Sequence, residues 1–200
     1  IPGFKNPWKG PNLELAKKML AEAGYPNGKG LPEITLDTFS STSARQKAEF
    51  FQKQMEKIGI KIKVVTNLNP ELQAKIKKRS VMMIDYGWIG DYPDTENFLQ
   101  IFYGPNSAPG ANSANYNNPE FNKMYEVVAK MQDSPARTKL YEEANMFLAN
   151  DVVAIFTVHT QSYMLQQKWV RNYHDSDFIF DFHQYLNVDQ KEKMEWLKKF

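Results

Sequence analysis

Gly87-Trp88-Ile89-Gly90-Asp91-Tyr92-Pro93-Asp94 follows the apolar run Val81-Met82-Met83-Ile84 and precedes Thr95-Glu96-Asn97-Phe98-Leu99-Gln100. The apolar run reads as the end of a buried strand, extending from Val81 to Trp88. Gly87 and Gly90 break it, at points where a Cβ would hinder the turn. Asp94 is placed to cap a helix that begins after it. Trp88, Asp91 and Tyr92 are therefore expected just past the carboxyl end of a strand, where open α/β sheets hold their ligands. A carboxylate can neutralise an ammonium group through a charge-assisted bond. An indole beside it offers apolar area and cation–π attraction. Gly87, Trp88, Asp91 and Tyr92 are the candidate ligand-binding residues, for recognition and not for catalysis.

Upstream, the pattern repeats strand and helix with short connections. Asn12 is placed to cap a helix with Leu13, Ala16, Met19, Leu20 and Ala23 on one face, stopped by Gly24. A strand runs from Ile34 to Phe39, followed by a helix from Arg45 to Ile58 with Ala48, Phe51 and Met55 inward. Ile60 to Val65 is the next strand, and Asn69 to Arg79 the next helix, with Leu72 and Ile76 inward. The order β-α-β-α-β argues for a mostly parallel sheet flanked by helices, with right-handed crossovers.

Downstream, residues 104–118 form a loop rich in Asn, Ser, Pro and Gly, long enough to be functional or mobile. Asn118-Pro119 and Ser134-Pro135 each open a helix. Phe121, Met124, Tyr125 and Val128 face inward on the first, and Leu140, Tyr141, Ala144, Phe147 and Leu148 on the second. Val152 to Leu165 reads as a fourth strand and Phe178-Ile179-Phe180-Asp181-Phe182 as a short one. Residues 169–177 read as irregular. A terminal helix runs from Asp189 to Phe200.

Composition narrows the function. The 200 residues carry a net charge of +2, too weak a field to argue for nucleic acid. The clusters Lys61 and Lys63, and Lys75 to Arg79, read as solvated faces. With 42% hydrophobic and 14% aromatic residues the chain is an ordered globular one. It has no cysteine, so thiol chemistry is excluded. No apolar run has membrane-spanning length. The opening residues, starting at Ile1, read as a connector entered in mid-protein. No phosphate-binding glycine loop and no nucleophile elbow is present. His159, His174 and His183 lack metal-ligand spacing, and Asp181 with His183 reads as a polar pair. No cofactor, no metal and no catalytic residue is expected; a hydrolase using Asp or His is the competing class.

Several stretches together resemble the family 5 extracellular solute-binding proteins, the peptide receptors of bacterial ABC importers. They are Ala16 to Pro26 with Gly28, Gln54 to Ile60, Gly87 to Asp94, Tyr116 with Asn118 to Phe121, and Arg137 with Tyr141 and Ala144. The resemblance implies a periplasmic-binding-protein type II fold, α/β, with two lobes closing on ligand. It implies that residues 1–165 are the C-terminal ligand-binding lobe and that 166–200 cross back toward a missing N-terminal lobe. Asp91 would pair with a ligand α-amino group, and Trp88 would line a side-chain pocket. The implied partners are a peptide or other small solute and the membrane permease subunits, with no nucleic acid. The implied location is periplasmic or extracellular, a lipid anchor on the full-length protein being one option. This sequence departs in one respect: no Arg or Lys lies between Ser80 and Asp94 to meet a ligand carboxylate, and Asp85 adds a further negative charge.

Overall fold

β1 (Ile34–Phe39) is the centre of a three-stranded parallel sheet of order β2-β1-β3. β2 (Ile62–Asn67) pairs with it along its whole length, Leu36 opposite Val64. β3 is shorter than the sequence suggests. Only Met83–Ile84 pair, opposite Leu36 and Asp37, and the Asp85 N–H then bonds to the Asp37 carbonyl at 3.0 Å. Beyond that bond the chain leaves the sheet.

The computed structural model describes residues 8, 10–159, 161, 163–174 and 183–199, His183 by its backbone alone. The short strand expected at 178–182, the Asp181–His183 pair and the connector at 1–7 lie outside the described residues. One compact unit comprises Ile1–Ile89 with Thr95–Ala154, and a second Gly90–Asp94 with Ile155–Phe200.

In the first unit the helices begin where local capping chemistry dictates. α1 (Leu13–Glu22) starts at Asn12, whose side chain accepts from the Leu15 N–H. Its expected inner positions Leu13 and Met19 are exposed. α2 (Thr42–Glu56) lays Ala48 on Leu36 and Ile62, with Phe51 and Met55 packed against them. α3 (Asn69–Lys77) fully buries Leu72 and nearly buries Ile76. A second core is helical. α5 (Pro119–Val128) contributes Phe121, Tyr125 and Val128; α6 (Pro135–Asp151) contributes Tyr141, Ala144 and Leu148. These spacings of three and four put each set on one face. α4 (Glu96–Leu99) adds Leu99 to the same cluster.

The loop at 104–118 is not an open one. Asn112 is fully buried, and its amide bonds to the carbonyls of Tyr103 and Tyr116.

α6 ends on Val152, whose φ of 50° and ψ of 40° are left-handed. That region is costly for a β-branched residue. Val152 is 53% exposed, so its side chain contributes little packing in return. Val152→Gly is therefore expected to stabilise the chain by about 1 kcal/mol, raising Tm by roughly 2–4 °C. A thermal melt checks this; a lower Tm would show that the valine side chain matters more than its backbone.

From Val153 to Leu165 the described residues form no strand, contrary to expectation. Val153 and Ala154 instead pack on the helical core, whereas Ile155, Phe156, Val158, Tyr163, Met164 and Leu165 are exposed. Apolar β-branched residues make a strand only where a neighbour accepts their backbone bonds.

The second unit holds structure where an irregular stretch was expected. β4 (Val170–Arg171) pairs antiparallel with β5 (Asn187–Val188), and α7 (Gln190–Leu197) follows. Trp169 is buried against Trp196, ring centroids 5.0 Å apart. The Arg171 guanidinium donates to Glu192 at 2.6 Å. Asp189 caps α7 by accepting from the Glu192 N–H, and that bond holds its carboxyl below the usual aspartate range.

Candidate functional site

The carboxyl end of the sheet is polar and buried at once. β1 carries Asp37 and Thr38 just before its last residue, β2 ends in Asn67, and all three are at most 4% exposed. A buried carboxylate must be paired or protonated. Asp37 Oδ1 accepts from Lys75 Nζ of α3 at 2.8 Å and from Asn67 Nδ2 at 3.0 Å. Asn67 Nδ2 also donates to the Val65 and Thr38 carbonyls. The strand ends are thereby fixed to each other and to α3.

A second bridge lies just past β3. Lys47 Nζ of α2 is 2.8 Å from Asp85 Oδ2, and the Thr38 hydroxyl donates to the same oxygen at 3.4 Å. Residues 81–93 contain no Lys or Arg, as the sequence shows, yet α2 delivers a cation to Asp85 from outside that stretch. A long-range ion pair between a helix and a loop leaves no local pattern to read.

Four residues beyond β3, Trp88 is half-buried. Its indole N–H donates to Asn97 Oδ1 at 2.7 Å, and Asn97 sits fully buried on α4. The ring is thus oriented by a satisfied polar bond. Ile89 beside it is 79% exposed. Gly87 does not serve the turn expected of it: its φ is not positive, and an added Cβ would meet nothing within 4 Å. α4 begins after Thr95, whose own side chain makes no cap bond.

In the second unit, Gly90 is buried, and Asp91 and Tyr92 are exposed in a bend that the Asp94 N–H closes onto the Tyr92 carbonyl at 2.8 Å. This bend presents a carboxylate and a phenol to solvent.

Three phenol–carboxylate pairs brace the helical core. Tyr125 donates to Glu96, Tyr103 to Glu126 at 2.9 Å, and Tyr116 to Asp151. Burial, then the Asp151 bond, pushes the Tyr116 phenol far up; the Glu126 bond raises Tyr103. They have the character of structural ties.

Two surface depressions, of about 630 and 440 Å³, lie along Asp133 to Glu142 and along Glu33, Gln52 and Glu56 to Ile62. Neither is lined by residues 87–94. Among the described residues no group of His, Asp or Glu is arranged to hold a metal ion. No helix among them is long and apolar enough to cross a membrane.

The profile of the bacterial extracellular solute-binding proteins, family 5 Middle, matches residues 1–110. The chain is 30% identical over 183 residues to heme-binding protein A of Haemophilus influenzae, across 89% of this chain and 33% of that protein. It is 31% identical over 170 residues to di/tripeptide-binding protein 1 of Pseudomonas aeruginosa, across 82% of this chain and 31% of that one. Among solved structures, the periplasmic binding protein DppA of Helicobacter pylori in complex with the peptide STSA superposes with a TM-score of 0.65 at 27% identity. That superposition covers 74% of this chain and 30% of that one. The chain spans about a third of the length of the curated relatives it matches. The architecture is the α/β one of the type II periplasmic binding proteins. This chain belongs to the family 5 bacterial extracellular solute-binding proteins.

Proposed function

We propose that the chain is the C-terminal lobe of the substrate-binding component of a bacterial ABC importer, and that its ligand is a peptide. Residues 1–165 form the ligand-binding lobe, and 166–200 lead back to an N-terminal lobe that completes the site. It is a binding protein and not an enzyme; it works in the periplasm or outside the cell and hands its solute to membrane permease subunits. The observation that carries this reading is the exposed Asp91 carboxylate, in a chain whose relatives include a di/tripeptide-binding protein and a peptide-bound DppA.

Asp91 takes the ligand's α-amino group, Trp88 and Tyr92 offer apolar and ring surface to its side chains, and the open space over Gly87 leaves room for the ligand backbone. The test is calorimetry on the full-length receptor with trialanine and N-acetyl-trialanine. Asp91→Asn is expected to weaken trialanine by about 2 kcal/mol, roughly 30-fold in Kd, because one member of a charge pair is removed. The acetylated peptide, which has no ammonium group, should bind both proteins alike. Unchanged trialanine affinity in the variant would remove Asp91 from the site.

A second reading, a non-peptide solute, is favoured by the likeness to heme-binding protein A over 89% of the chain. Binding of heme and not of trialanine by the full-length receptor would select it.

A further inference from the structure

We infer that Asn27 is a latent modification site: it deamidates through a cyclic imide only when the Gly28–Gly59 backbone contact opens, and its isoaspartate product cannot close that contact again. The inference concerns the fold and is independent of the ligand.

Asn27-Gly28 is the only Asn-Gly pair in the sequence. Glycine is the following residue that hinders cyclisation least, because no Cβ shields its amide nitrogen. The Gly28 nitrogen gives up its proton to a base in solvent and attacks the Asn27 side-chain carbon Cγ. The new Cγ–N bond forms, the Cγ–Nδ2 bond breaks, and the side-chain nitrogen leaves as ammonia after taking a proton from water. Nothing is oxidised or reduced. A second water then opens the imide. Attack at Cγ gives aspartate. Attack at the backbone carbonyl carbon gives isoaspartate, whose main chain runs through the side-chain methylene.

In the folded chain Asn27 is exposed, so base and water reach it, and geometry is what restrains it. Its φ is 53° and its ψ 30°. At that ψ the Cβ stands nearly opposite the Gly28 nitrogen across the Cα–C bond, and the imide cannot close whatever the side-chain rotamer. Closure needs a large rotation about ψ. Two features oppose it. The Gly28 N–H, whose proton must leave, donates to the Tyr25 carbonyl at 2.8 Å. The Asn27 carbonyl faces Gly59 so closely that a Cβ there would lie 2.1 Å from its oxygen and 2.5 Å from its carbon. From the other side, a Cβ on Gly28 would lie 1.9 Å from the Gly59 oxygen. Rotation about ψ swings that carbonyl and the Gly28 nitrogen together, so the two turns must part first. Isoaspartate then lengthens the main chain at a contact with no room for a Cβ. Aspartate leaves the main chain as it was, and Asp tolerates the left-handed conformation, so that product refolds.

The full-length receptor would be aged at mildly alkaline pH in native buffer and in urea. Mass spectrometry of the tryptic peptide carrying residue 27 reads conversion, and isoaspartyl methyltransferase counts isoaspartate. Asn27 is expected to convert at least about tenfold more slowly in native buffer than in urea. Gly59→Ala should raise the native rate several-fold. Asn112→Ala, which removes a buried amide from the 104–118 loop, should leave it within about twofold of wild type. If Gly59→Ala does not fold, hydrogen exchange of the Gly28 amide in wild type takes its place, and it should be slowed to a similar extent as deamidation; an unprotected amide would overturn the inference. After ageing in urea and refolding, the folded fraction should retain aspartate and be depleted of isoaspartate. Equal rates in native buffer and urea would overturn the inference. So would equal acceleration by Gly59→Ala and Asn112→Ala, which would make global unfolding the route, or isoaspartate that refolds as readily as aspartate.

Discussion

Gly59→Ala is expected to destabilise the chain by about 3–5 kcal/mol and to lower Tm by roughly 10 °C. Two costs combine. Gly59 has φ +86°, a conformation that a Cβ makes unfavourable by about 1–2 kcal/mol. A Cβ there would also lie 2.1 Å from the Asn27 carbonyl oxygen and 2.5 Å from its carbon. Those are backbone atoms, so no side chain can swing aside. The contact is mutual: a Cβ on Gly28 would lie 1.9 Å from the Gly59 oxygen. The turn after α1 and the turn after α2 are therefore pressed backbone to backbone. They precede the paired strands β1 and β2, so spreading them pulls on the start of the sheet. Gly30 separates the two costs. Its φ is +85°, but nothing lies within 4 Å of its would-be Cβ. Gly30→Ala should lose only the conformational part, about 1–2 kcal/mol. Circular dichroism melts of both variants decide it: equal losses would mean that the close approach is not what Gly59 serves.

That contact shows what a sequence can and cannot carry. Gly24, Gly28 and Gly59 are legible as turn residues, because the need for a positive φ is local. That Gly28 and Gly59 touch is a tertiary fact. The same division holds along the chain. The Asn12, Asn118-Pro119 and Ser134-Pro135 helix starts were legible because capping is settled within three residues, and each of these side chains accepts a bond from its own first turn. β1 was legible to the residue, since its pattern and its flanking turns agree. The run Val153-Ala154-Ile155-Phe156 has equally good strand composition and makes none. Its first two residues are taken by the helical core, and the rest belong to no strand among the described residues.

The candidate site divides in the same way. Trp88, Asp91 and Tyr92 stand out because a ring, a carboxylate and a phenol cluster beside glycines. The partner of the indole, Asn97, is nine residues on and indistinguishable in sequence from any helical asparagine. Lys47 and Asp85 are 38 positions apart, and Lys75 and Asp37 are as far apart again. Parallel β-α-β winding is what returns each helix to the strand ends, so these bridges follow from the fold and not from spacing. A search confined to residues 80–94 finds only negative charge there; the folded chain supplies the positive charge from α2.

Asn112→Ala is expected to cost about 3 kcal/mol, lowering Tm by roughly 6–12 °C. The loop at 104–118 has little regular structure, so its backbone polar groups need other partners. Asn112 supplies several. Its Nδ2 donates to the Tyr103 carbonyl at 3.1 Å and to the Tyr116 carbonyl at 2.7 Å, and its Oδ1 accepts from the Tyr116 N–H at 3.3 Å. Its side chain is fully buried, so alanine would leave these groups without water to replace it. The two tyrosines it joins are themselves tied into the helical core. Tyr103 stacks on Tyr125 with centroids 4.4 Å apart, and Tyr116 packs edge-on to Phe121 and bonds to Asp151. One amide thus connects the loop's two ends to α5 and α6. Asn112→Asp keeps the shape but turns a donor toward two carbonyl oxygens into an acceptor, and should cost more than alanine at neutral pH. Equal stability of Asn112→Ala and wild type would mean that the rings alone hold the loop. A greater loss for aspartate than for alanine would locate the effect in the donated bonds and not in the volume of the side chain.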